Sequence, residues 1–122
     1  MNPFRLATRR RPPTRAGPRT SSLAPEHEGR PVPVPWCVTL RSPSGVIEVE
    51  YRGSVPARQV RFALAGRGLL GLSLPQTVAP GERVRVTLRG SHAEGAVAAA
   101  DAMLVLRWFD ADGTEFLWPI AL

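Results

Sequence analysis

The chain contains no lysine, a single asparagine at Asn2 and a single cysteine at Cys37. With one cysteine no disulfide can close within the chain, so nothing points to an oxidising compartment. No apolar run is long enough to span a membrane, and Phe4, Leu6 and Ala7 run straight into Thr8 and three arginines, which is not a secretory leader. The expected location is therefore the cytoplasm. All 16 basic residues are arginine, which reads as the codon bias of a GC-rich bacterial genome.

What is present divides the chain. Residues 1–35 hold seven arginines against Glu26 and Glu28, leaving +5, whereas residues 36–122 hold nine against eight acids, leaving +1. The first stretch also carries eight of the 13 prolines and few large apolar residues. Such a composition buries too little surface to offset its ordering entropy, so residues 1–34 read as a disordered basic arm and 35–122 as the folded domain.

Within the domain, short alternating segments follow one another at turn signals. Strands are predicted at 36–41, 46–52, 58–65, 69–74, 83–89, 103–109 and 114–120. Ile47, Val49 and Tyr51 share one face and Glu48 and Glu50 the other; Val84, Val86 and Leu88 oppose Arg83, Arg85, Thr87 and Arg89 in the same way. If those two strands are neighbours, the acids face the arginine row, a favourable cross-strand arrangement. Ser91 to Ala102 reads as a loop with one or two helical turns, with Ser91 and Glu94 spaced as a capping box. Asp110-Ala111-Asp112-Gly113 reads as the connection of a terminal hairpin. Seven strands without helical crossovers predict an all-β fold, a seven-stranded antiparallel sandwich.

Val55-Pro56-Ala57-Arg58-Gln59-Val60-Arg61-Phe62, followed by Val78-Ala79-Pro80-Gly81-Glu82-Arg83-Val84, resembles bacterial immunoglobulin-like modules of the cell-adhesion-related type. The resemblance covers about residues 46 to 90. It implies an immunoglobulin-like β-sandwich used for contacts, with no catalytic residues.

Several constellations invite chemistry without completing it. Gly66-Arg67-Gly68-Leu69-Leu70-Gly71 matches a dinucleotide fingerprint, but Pro75 and Pro80 leave no room for the helix that would receive a pyrophosphate, so strand-turn-strand is expected. Cys37, His27 and His92 lack the context of a nucleophile with its base or of a zinc site. Asp110, Asp112 and Gly113 resemble the start of a calcium loop whose later oxygen ligands are missing. Glu48 and Glu50 sit on a face expected to be solvated. The reading is a protein that is not an enzyme, with no cofactor, no metal and no small-molecule substrate.

Two features are candidates for binding. Arg5, Arg9, Arg10, Arg11, Arg15 and Arg19 form a flexible polycation suited to RNA, DNA or another polyanion; the plainer alternative is a solvated tail or an upstream extension from a misassigned start codon. In the terminal hairpin, pairing of Phe109 with Thr114 places Val105, Arg107, Phe109, Phe116 and Trp118 on one face, an aromatic patch enclosing an arginine. The plainer alternative there is that a bulge at Gly113, or the arm, covers the second face. The leading expectation is an adaptor or assembly module that docks through this patch onto a protein partner or a second copy of itself, its arm ordering on that partner. The second is a nucleic-acid-binding accessory protein that uses the arm.

Overall fold

The computed structural model describes residues 2–12 and 33–122. All seven expected strands are present, with ends within two residues of expectation, and three more join them. In chain order the elements are β1 (Asn2–Arg5), β2 (Ala7–Arg11), β3 (Trp36–Arg41), β4 (Val46–Tyr51), β5 (Ala57–Gly66), β6 (Leu69–Leu72), β7 (Gln76–Val78), β8 (Arg83–Thr87), α1 (Ser91–Val97), β9 (Met103–Phe109) and β10 (Glu115–Ile120). Sheet one runs β1-β6-β5-β9-β10, with β7 paired to β5; sheet two runs β2-β8-β4-β3.

The core lies between the sheets and is made by the inward halves of the alternating strands. Val60, Phe62 and Leu64 of β5 and Leu104, Leu106 and Trp108 of β9 meet Ile47, Val49 and Tyr51 of β4 and Val84 and Val86 of β8, all buried. Each such side chain contributes roughly 1.5–3 kcal/mol of transfer free energy. The glycine-rich segment is a hairpin turn: Arg67 and Gly68 both have positive φ, and β6 follows at once, so no helix opens at Gly71. A Cβ at Gly71 would stand 2.5 Å from the Phe4 ring, so glycine is what lets β1 lie against β6. The capping box is also displaced by one: Gly90 caps α1, and the Glu94 carboxylate accepts the Gly90 N–H at 3.0 Å.

The expected disordered arm is corrected over its first residues. β1 pairs in parallel with β6, β2 pairs antiparallel with β8, and Leu6 between them is only 2% exposed. Composition missed this because charge opposes folding only while it stays unpaired: Arg11 reaches Glu48 at 3.1 Å, and Arg10 reaches Glu82 and the Thr77 carbonyl. Phe4 and Leu6 then supply enough apolar surface to fasten the segment. The boundary placed at residue 34 therefore does not describe residues 2–11, and the rest of the expected arm, 13–32, lies outside the described residues.

The hairpin register is the second correction. Trp108 pairs with Phe116, Arg107 with Leu117 and Leu106 with Trp118, one residue away from the expected alignment. The connection is a turn in which Gly113 N–H donates to the Asp110 carbonyl, Gly113 sits at φ 82°, and Asp110 N–H donates to Thr114. That added left-handed residue is a bulge, and it turns β10 over.

Candidate functional site

The two sheets present very different outer faces. On sheet two, Glu48 pairs across to Arg85 and Glu50 to Arg83, as the charge order predicts. These acids are not solvated as expected: Glu48 is only 3% exposed beneath a roof of side chains. Its Oε2 accepts from Arg85 Nε at 2.8 Å and from Arg11 Nη1 at 3.1 Å, while Oε1 accepts from Thr39 Oγ1 at 2.9 Å. Glu50 accepts from Arg52 Nε at 3.1 Å and has Arg83 at 3.7 Å. Burial alone would raise the Glu48 pKa, but donation from Arg85, Thr39 and Arg11 and the Arg85 charge outweigh it, so the carboxyl lies below its ordinary value.

This lattice absorbs part of the polyanion candidate. Arg10 and Arg11 are engaged within the sandwich, whereas Arg5 and Arg9 are exposed on β1 and β2. Arg15 and Arg19 lie outside the described residues.

Sheet one turns an apolar face outward. Leu70 and Leu72 of β6, Ala63 and Ala65 of β5, Met103 and Val105 of β9 and Pro119 of β10 alternate with the core residues and lie side by side through the strand register. Met103 is 54% and Leu117 61% exposed. Arginines stand at its margin: Arg61 opposite Arg107, and Arg58 opposite Phe109. Arg107 is ion-paired with Glu115 and lies 5.7 Å over the Phe109 ring. Of the five residues expected to form one patch, the structure therefore brings together Val105, Arg107 and Phe109. The bulge turns Phe116 and Trp118 inward, where both pack against the core. Leu70, Leu72 and Met103, read beforehand only as strand residues, take their place; the signal for them was a strand apolar on both faces.

The same turn-over builds an aromatic cleft. Phe116 stacks on Trp108 at 5.5 Å and 18°, Trp108 and Trp36 meet in a T-shaped arrangement at 5.8 Å, and Trp36 lies 4.8 Å from Tyr51. Tyr51, Trp108 and Phe116 line a half-open cavity of about 320 Å³ together with Pro33, Pro35 and Asp110. Asp110 Oδ1 accepts the N–H groups of Asp112 and Thr114 at 2.8 and 3.0 Å, so the calcium-like residues serve a turn. Tyr51 donates its hydroxyl to the Val55 carbonyl, and burial together with the Asp110 charge raises its pKa.

Cys37 is half-buried on β3, and His92 on α1 stacks against Phe4 at 5.7 Å, while His27 lies outside the described residues. Among the described residues no three His, Cys, Asp or Glu side chains are placed to hold a metal ion. Nor is any helix among them long and apolar enough to cross a membrane. In comparisons with known proteins, no family model, no curated protein and no solved structure matches this chain.

Proposed function

We propose that the protein is a non-enzymatic protein-protein interaction module of immunoglobulin-like architecture that docks through the outer face of sheet one. The partner carries an apolar centre and an acidic rim. Strand order supports the architecture: the first, second and fifth of the seven predicted strands lie in sheet two, and the third, fourth, sixth and seventh in sheet one. The single observation that carries the docking surface is the contiguous outward apolar row from Leu70 through Ala65 to Met103, with Leu72, Ala63 and Val105 beside it. Isolated exposed apolar residues are ordinary, but three adjacent strands, β6, β5 and β9, that carry neighbouring apolar residues on their outer face as well are not.

Charge selects the partner. Arg5, Arg58, Arg61 and Arg107 surround this face and Glu115 is the acid among them. A second copy would bring like charges together, whereas a carboxylate rim complements them. The free edge of β10 carries Pro119, which lacks the N–H that strand addition needs, so the face and not the edge receives the partner.

The test places a photo-cross-linking residue at Met103 and, in a separate protein, at Thr87 on the opposite sheet. A discrete protein adduct from Met103, absent from Thr87 and reduced several-fold by Arg61→Glu, is expected. Equal adducts from both positions, or adducts indifferent to Arg61→Glu, would refute the docking face. Nuclease-sensitive adducts gathered at Thr87 would transfer the role to the arginines of sheet two and to the nucleic-acid reading.

A further inference from the structure

The aromatic cleft is distinct from the docking face, with Leu117 bordering both. Among the described residues, three aromatic side chains and two prolines line it, together with one carboxylate and no basic residue. Ring faces present the negative part of their quadrupole, and Asp110 adds a formal negative charge beside them. Burial, and after it the Asp110 charge, raises the Tyr51 pKa, so Asp110 is near enough for its charge to be felt at the Tyr51 hydroxyl.

We propose that this cleft is a binding site for a small organic cation, an alkylammonium or alkylguanidinium whose head lies against Trp108, Phe116 and Tyr51 with Asp110 as its counter-charge. Chemistry excludes the neighbouring classes. An anion would meet Asp110 and ring faces with no cation among the described lining residues to offset them. A sugar would need several hydrogen-bonding groups, yet Tyr51 spends its hydroxyl on Val55 and Asp110 Oδ1 is held by two backbone N–H groups. A purely apolar ligand leaves the Asp110 charge desolvated without a partner, which is costly. A cation uses every feature of the lining, and about 320 Å³ is at the small end of ligand-site volumes.

Asp110→Asn makes the test sharp, because the amide keeps an oxygen to accept the Asp112 and Thr114 N–H groups while removing the charge. Tetramethylammonium, choline and ethylguanidinium are titrated into the full chain while the Trp108 indole and Thr114 amide resonances are followed. 3,3-Dimethylbutan-1-ol, the uncharged carbon isostere of choline, serves as control. Saturable shifts with at least one cation are expected, weaker by about tenfold for the isostere and by a similar factor in Asp110→Asn. Phe116→Leu is expected to weaken binding several-fold while the fold is retained. Absence of saturation with all three cations, equal binding of the isostere, or unchanged affinity in Asp110→Asn would each overturn the proposal. These readouts do not involve Met103 or Arg61, so failure here is distinguishable from failure of the docking face.

Discussion

The outer faces of the two sheets differ in how they satisfy themselves. On sheet two, Glu48 and Glu50 of β4 stand beside Arg85 and Arg83 of β8, and these acids are covered by arginines from β2 and β8 and by Arg52 just after β4. On sheet one the centre of the outer face is apolar, with Arg61 and Arg107 at its margin, and Met103 and Leu117 stand in solvent. A charged row that neutralises itself becomes a lid, whereas an apolar row without a lid offers burial to whatever arrives. The lesson is that the polar face of an alternating strand is not automatically the solvated one. Here the polar pair is the buried one and the apolar row is the surface.

The comparison can be broken at four places. The largest effect is expected at Leu6, which joins the two sheets: Leu6→Ala should lower the unfolding free energy by about 3 kcal/mol in a urea titration, within the usual range for a buried leucine. An unchanged midpoint would restore the first residues to the status of an appendage. Next, Glu48→Gln strands Arg85 and Arg11 over a neutral amide. Removing one partner of a buried pair can cost 3–5 kcal/mol, but these arginines reach water, so about 2 kcal/mol is expected. The pH dependence has a definite sign. The folded carboxyl lies below its ordinary value, so its contribution is present above about pH 4.5 and is lost as the pH falls through the folded pKa. Acid titration of unfolding should therefore show a limb that Glu48→Gln flattens.

The third place is the hairpin. Gly113→Ala puts a Cβ at φ 82° and should cost about 1 kcal/mol, with amide shifts spread along β10 and at Phe116. The smallest effect sharpens the comparison from the other side: Met103→Ser should move stability by no more than about 0.5 kcal/mol while reducing partner capture. A large loss of stability there would mean that the outer face of sheet one serves the fold itself.

Period-2 patterning located β4, β5 and β8 because each has one face that must be dry, turn signals bounded β3 and β9, and the charge order correctly placed β4 beside β8. It could not locate β1 and β2, whose arginines looked solvated until Glu48 and Glu82, about forty and seventy residues away, were seen to receive them. The candidate patch was half legible. Val105, Arg107 and Phe109 follow from a strand apolar on both faces, but the side taken by Phe116 and Trp118 depends on one residue in the Gly113 turn. The aromatic cleft was not legible, because it needs that same residue together with the approach of Trp36 and Tyr51 from the opposite sheet.

The pairing of Asn2 with Leu69 and of Ala7 with Thr87 imposes an order on the birth of the molecule. Those first ribbons leave the ribosome long before their neighbours exist, and such distant closures are slow. Without those ribbons the margins of β6 and β8 would both stand open, so one short segment hems an edge of each sheet.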